Sequence, residues 1–281
     1  MMPADTAKQD QPRTPVLRFE NVTVSFDGDV ALTDISFAAY EGESRVILGA
    51  AGSGKTVLLK TAMGLAKPES GKVYAFGRDI TVMSEKELFA IRSKIGMLFQ
   101  ESALFDSLTI AENVAYPLLN QPAVQCPKDE VLPRVKQTLE FVELGKTLNK
   151  FPAELSGGMR RRAGIARAVV TEPPLQMYDS PTAGLDPITA HTIMALLIKE
   201  RDVSQATTLM VTHRYQDGNL MANFRYNSEQ GDLEPAHNGD GRKAQTTFMV
   251  MKEGRLIFED DQDAIEAADD PYIQKFVKQR V

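Results

Sequence analysis

Gly49 to Thr56 read G-A-A-G-S-G-K-T between a short apolar run, Ser44 to Leu48, and a segment of helical spacing, Lys55 to Leu65. Strand, glycine loop, helix is the context in which this pattern builds a phosphate-binding loop. Small residues let backbone N–H groups wrap a β-phosphate, and the helix behind them adds its positive end. Gly49, Ala50, Ala51, Gly52, Ser53, Gly54, Lys55 and Thr56 are therefore candidates for holding a nucleoside triphosphate. Lys55 is expected to reach the β- and γ-phosphates, and the Thr56 hydroxyl to ligate Mg²⁺. Far downstream, Leu155 to Met159 read L-S-G-G-M. A serine and two glycines opening a helix make a second phosphate-binding surface. One nucleotide in one subunit does not need two such surfaces. The pair implies a nucleotide clamped between two copies of a domain.

The rest of the chain alternates strand and helix signals. Leu17 to Phe26 and Asp34 to Tyr40 alternate loosely, as half-buried strands do. Gly71 to Phe76 and Ile95 to Phe99 read as strands, and Ser84 with Glu87 forms a capping box for a helix running to Lys94. From Thr109 to Val170 the strand signals stop, and the pattern is helical with proline breaks at Pro117, Pro122, Pro127 and Pro152. Leu175 to Tyr178 is a buried strand, Pro187 to Glu200 a helix and Thr207 to Thr212 a strand. Phe248 to Met251 and Arg255 to Phe258 form a hairpin, and Pro271 to Arg280 a last helix within a helical segment at 261–281. Ala222 to Thr246 is polar and aperiodic and reads as an inserted surface loop or ribbon. The pattern predicts an α/β core with an inserted helical subdomain at about 100–170.

Bulk properties exclude several classes. The net charge of −6 gives no basis for a nucleic-acid surface built on global charge. The single cysteine, Cys126, excludes an intramolecular disulfide framework and reads as a spectator thiol. No apolar run approaches the ~18 residues of a membrane helix. Residues 1–14 are polar, with two prolines and no apolar stretch, and read as a disordered tail. If the protein works at a membrane, a partner carries it there.

Asp179 ends the buried strand Leu175 to Tyr178 and follows the L-S-G-G-M string closely. An acidic residue there can hold the Mg²⁺ water shell beside the phosphates. At this point the chain resembles the nucleotide-binding subunits of ABC transporters, with six motifs in family order from Leu17 onward. The resemblance implies a P-loop NTPase fold with a RecA-like core, an N-terminal antiparallel β-subdomain and a helical subdomain, over residues 15–281. It implies ATP and Mg²⁺ as ligands, and metal contacts from Thr56, Gln100 and Asp179. Phe26 sits where the family stacks an aromatic on adenine, although a core strand residue would look the same. Gln100 matches the glutamine that touches Mg²⁺ and moves with the membrane partner. Ser156, Gly157 and Gly158 match the signature loop, with Met159 where Gln is commoner. Ala183 to Asp186 match the D-loop, and His213 the switch histidine at the γ-phosphate. Arg160, Arg161 and Arg162 form either a solvated basic face or part of an interface.

Finer strings, G-M-L-F-Q from Gly96, N-V-A-Y-P-L from Asn113, L-S-G-G-M-R-R-R-A from Leu155 and D-P-I-T from Asp186, resemble the Mla/Mce branch. That branch works beneath bacterial permeases that move phospholipids or other lipids. It implies a second ATPase subunit, identical or different, an integral membrane permease and a periplasmic Mce-type lipid-binding protein. The implied location is the cytoplasmic side of the inner membrane. One position departs from the family: Ser180 stands where the glutamate that polarises the attacking water is expected. A serine hydroxyl can bond a water but is too weak a base at neutral pH. Three readings remain open: slow hydrolysis with Gln100 and His213 holding the water, a different partner subunit that supplies a competent site, or ATP as a ligand that closes the dimer. The alternatives are an ATP-dependent dimeric clamp or regulator with little hydrolysis, from another class, and the ATPase subunit of a different class of ABC importer or exporter.

Overall fold

A computed structural model describes residues 14–236 and 246–278. The chain opens with β1 (Pro15–Phe26), β2 (Asp29–Tyr40) and β3 (Ser44–Leu48), then α1 (Lys55–Ala62), β4 (Ser70–Ala75), β5 (Arg78–Asp79), α2 (Glu85–Arg92) and β6 (Ile95–Leu98). Three helices follow: α3 (Ile110–Asn120), α4 (Lys128–Phe141) and α5 (Gly157–Val169), with a 3₁₀ turn at Pro152–Glu154. Then come β7 (Leu175–Asp179), α6 (Pro187–Ser204), β8 (Thr207–Thr212), α7 (Tyr215–Asn223), β9 (Phe224–Asn227) and β10 (Asp232–Pro235). The last elements are β11 (Thr246–Lys252), β12 (Arg255–Asp260), α8 (Gln262–Ala267) and α9 (Pro271–Val277).

Two sheets organise these elements. A four-stranded antiparallel sheet has the order β2-β1-β4-β5, and a six-stranded sheet has the order β12-β11-β3-β8-β7-β6. In the second, β11, β3, β8, β7 and β6 run parallel, and β12 is an antiparallel edge. Strands covered on both faces read as continuous apolar runs. Period-two alternation then divides their side chains between two cores. Val46, Leu48, Tyr178, Met210, Phe248 and Val250 pack with α3 to α9. Ile47, Met177, Leu209, Val211, Met249 and Met251 pack with α1, α2 and the antiparallel sheet.

The loose alternation of β1 has a physical cause. Its buried residues shift from Leu17 and Phe19 to Val22 and Val24, and the pairing register shifts between Phe19 and Val22. Asn21 takes a left-handed φ of 48° there and bonds Asp34 Oδ1 at 2.8 Å. The irregularity returns the apolar residues to the core face. The α1 helix ends three residues earlier than its apolar pattern suggests. Gly64, at φ 67°, lets Leu65 N donate to Lys60 O and its own N to Thr61 O, a Schellman ending.

Other sequence expectations are corrected. Pro117 does not break the helical block but lies inside α3, where burial of Val114 and Leu118 offsets the missing N–H. Pro127 starts α4 and Pro152 starts the 3₁₀ turn, as breakers do. Ala222 and Asn223 belong to α7 rather than to an insertion. The following residues form the β9–β10 hairpin, a ribbon; residues 237–245 of the expected insertion lie outside those described. Of the expected tail, only Thr14 is described, and it is exposed. Residues 279–281, which include the end of the expected last helix, also lie outside. Among the described residues, no helix is long and apolar enough to cross a membrane.

Candidate nucleotide site

The parallel strands β3, β7 and β8 end on one edge of the sheet, and the loops after them meet around an open cavity of ≈ 650 Å³. This is the edge where open α/β sheets bind ligands. Ala50 to Thr56, Gln100, Ser180 and His213 line it. A larger hollow of ≈ 840 Å³ lies at the opposite ends of the same strands, beside Glu41, Pro174 and Ala206. It contains none of the residues of the glycine loop, so size is a poor guide here.

The glycine loop is fixed by close approach. Gly54 has φ 98°, and a Cβ there would stand 2.6 Å from Ala31 O. The Lys55 ammonium folds back on its own loop, donating to Gly49 O at 2.8 Å and Ala50 O at 2.7 Å. Burial lowers its pKa, and the nearby Asp179 carboxylate opposes that shift. Thr56 Oγ1 donates to Asp179 Oδ2 at 2.8 Å, and Ser180 Oγ to Asp179 Oδ1 at 3.0 Å. Thr56 and Gln100 line the cavity and Asp179 is bonded to Thr56, so all three bring hard oxygen donors to this site, the donor class that suits Mg²⁺. Among the described residues, no cluster of three or more His, Cys, Asp and Glu side chains forms a metal site on its own.

Gly49 is not among the residues lining the cavity; a Cβ there would meet Ser53 Oγ at 2.5 Å and Met251 O at 2.7 Å. His213 is exposed and follows β8 directly. Phe26 is exposed at the end of β1 and is not among the residues lining the cavity. Ser156, Gly157 and Gly158 also lie outside it. They open α5, where Ser156 Oγ caps the helix by accepting from Met159 N at 3.3 Å.

Several site residues were not legible beforehand. Asp217, in the first turn of α7, is 1% exposed and accepts from Thr182 Oγ1 at 2.7 Å and Thr212 Oγ1 at 2.8 Å. It joins the loop after Ser180 to the strand that leads to His213. Burial raises its pKa, against the two hydroxyl bonds. Tyr272 of α9 accepts from Ala50 N at 3.1 Å and donates to Met251 O at 3.1 Å, and Phe276 lines the cavity. Among the three arginines, Arg160 bonds Leu155 O and Arg162 bonds Glu143. Arg161 is neither a solvated face nor a free interface group: it is 6% exposed and bonded within the chain.

Comparison with known proteins agrees with this geometry. Residues 32–183 match the family model described as ABC transporter. The chain is 39% identical over 202 residues to a probable ribonucleotide transport ATP-binding protein, mkl, of Mycobacterium leprae. It is 39% identical over 204 residues to the methionine import ATP-binding protein MetN 2 of Rhodococcus jostii. The matches cover 72% and 71% of this chain but only 58% and 59% of those proteins. Among solved structures, the dimeric cassette MJ0796 bound to ADP and Pi is 30% identical, with a TM-score of 0.73. That match covers 87% of this chain and 98% of the cassette. CbiO1 of Clostridium perfringens, described as part of the transporter complex cbiONQ, is 28% identical over 95% of this chain and 96% of its own, also with a TM-score of 0.73. With the fold, the order of the loops and these matches in agreement, the chain belongs to the ABC transporter family, as an ATP-binding domain.

Proposed function

We propose that this chain is the ATPase subunit of a bacterial ABC complex that couples ATP binding, and slow hydrolysis, to lipid transport. The observation that carries the ATP reading is the meeting of Lys55, Thr56 and Gln100 around one cavity at the strand ends, with Asp179 bonded to Thr56. Lys55 leaves the carbonyls of Gly49 and Ala50 for the β- and γ-phosphates, a more favourable partner for an ammonium. Mg²⁺, held by Thr56 and Asp179 with Gln100, would neutralise charge on the β- and γ-oxygens. Ser156, Gly157 and Gly158 lie outside the cavity, so the partner subunit's Ser156 closes on the γ-phosphate. Phe26 stays the proposed adenine platform, reached beyond the phosphate cavity. His213 and Gln100 hold the attacking water, because Ser180 cannot take its proton.

Residues 15–281 form the proposed ATP-binding domain, with 100–170 as the helical part that faces a membrane permease. The complex sits on the cytoplasmic side of the inner membrane, with a periplasmic Mce-type protein beyond the permease. The strings from Gly96, Asn113, Leu155 and Asp186 support the lipid reading. The names of the mycobacterial and rhodococcal relatives favour a second reading, import of ribonucleotides or methionine. Purification of the tagged chain from bacterial membranes separates the two. Recovery with a multi-pass membrane protein, and phosphate release stimulated by phospholipid, is the expected result. Stimulation by methionine or a ribonucleotide instead overturns the lipid assignment. Recovery without any membrane protein overturns the transport reading in favour of an ATP-dependent clamp.

A further inference from the structure

Arg161 lies about one turn beyond the glycines that open α5. Its guanidinium reaches out of the helix to two different loops. Nη1 donates to Phe99 O at 3.2 Å and to Gln100 O, and Nη2 to Ala183 O at 3.3 Å. Those loops carry Gln100 and Ser180, which both line the phosphate cavity. The first loop is also gripped at Ser102 O and Ala103 O by Arg167, each at 2.7 Å, and at Phe105 by the buried Asn113. The second is gripped from the other side by Asp217 through Thr182. Arg161 bonds both loops at once and so joins the two grips.

Burying a guanidinium is costly, and Nε of Arg161 has no hydrogen-bond partner. A residue needed only to fill this space would be apolar. A planar fork of five donors can reach carbonyls on two backbones at once, and a lysine ammonium or a glutamine amide cannot span them in the same way. We propose that Arg161 is a positioning residue that fastens the Gln100 loop to the loop after Ser180 and both to the signature helix. The nucleotide contact made by Gln100 then shifts Ala183 and α5 with it. The proposal rests on the ATP reading above for its consequence, but the fastening itself can be tested without nucleotide.

The test is amide hydrogen exchange on the full chain, with Arg161→Gln and Arg161→Met read beside Arg162→Gln. Without nucleotide, losing the charge-assisted bonds raises exchange about tenfold in segments 99–103 and 181–185. Arg162→Gln leaves both segments unchanged. With ATP–Mg²⁺, wild type gains protection in both segments. The Arg161 variants keep their ATP affinity within about threefold but gain protection only at 99–103. Unchanged exchange in both segments, or an even rise along the whole chain with a lowered melting temperature, overturns the proposal. If Arg161→Met does not fold, Arg161→Gln is read alone. Failure of wild type to bind ATP overturns the proposed function instead, and the nucleotide-free arm still decides the fastening.

Discussion

Replacing Ser180 by Glu restores the group that the family pattern places beside Asp179, and the structure gives reasons for it to work. Ser180 is in the left-handed region at φ 49°, but Glu143, Glu172 and Glu253 already occupy that region in this chain. Ser180 is 8% exposed but lines the cavity, the open side toward which a longer side chain can turn once it leaves Asp179. The lost bond from Ser180 Oγ to Asp179 is absent in ground and transition states alike, so it lowers stability, not rate. Asp179 raises the pKa of a new neighbouring carboxylate, which makes it a stronger base. A positioned base is worth ~10²–10⁴ in rate. Phosphoryl transfer leans more on charge stabilisation than on the base, which trims that gain. A rise of about tenfold or more is therefore expected, or ~1.4 kcal/mol of barrier. The assay is phosphate release at saturating ATP–Mg²⁺ with the co-purified membrane partner, and Ser180→Gln as the isosteric control without a base. An unchanged rate in Ser180→Glu, or an equal gain in Ser180→Gln, would refute the reasoning.

Three further outcomes follow from the site. Lys55→Ala removes the ammonium that the loop holds ready and is expected to abolish ATP binding; micromolar affinity for a fluorescent ATP analogue in that variant would contradict the phosphate-loop assignment. Asp217→Ala leaves the buried hydroxyls of Thr182 and Thr212 without their acceptor and should cost about 1–3 kcal/mol in urea denaturation. Asp217→Asn keeps an acceptor without the charge. Because burial raises the pKa of Asp217 in the folded state, native protein binds its proton more tightly than unfolded chain. Wild-type stability is then lost, relative to Asp217→Asn, as pH rises from below the unfolded value through the folded one. Wild type that instead gains stability relative to Asp217→Asn as pH rises through that window would contradict the sign.

The glycine loop, its strand and its helix were legible because local chemistry leaves little choice. Gly54 must be glycine both for its φ and for the approach of Ala31. The sheet strands were legible because burial on both faces demands continuous apolar runs. The α7 helix was not, because Gly218 and Asn219 are poor helix formers. Packing explains the glycine: a Cβ at Gly218 would stand 2.6 Å from Phe248 Cε1. Tertiary fit overrode propensity there, as it did at Pro117. Arg161 was hidden for a related reason. Three consecutive arginines carry no signal of which one turns inward, and that choice is made by where α5 meets the Gln100 loop. Tyr272 and Phe276 reach the cavity from the far end of the sequence, a proximity that no local pattern encodes.

The two-copy clamp is tested most directly by the mass of the full chain in solution with saturating ATP–Mg²⁺. A Cβ added at Gly157 meets nothing within 4 Å, so Gly157→Asp leaves the single chain intact. Its carboxylate at the start of α5 even suits the positive end of that helix. Placed against the γ-phosphate of an opposing copy, the same charge repels. Sedimentation should show wild type doubling from 31.0 kDa on ATP addition, with Gly157→Asp binding ATP yet remaining at 31.0 kDa. Wild type that binds ATP and stays at 31.0 kDa, or Gly157→Asp that doubles as wild type does, would contradict the clamp.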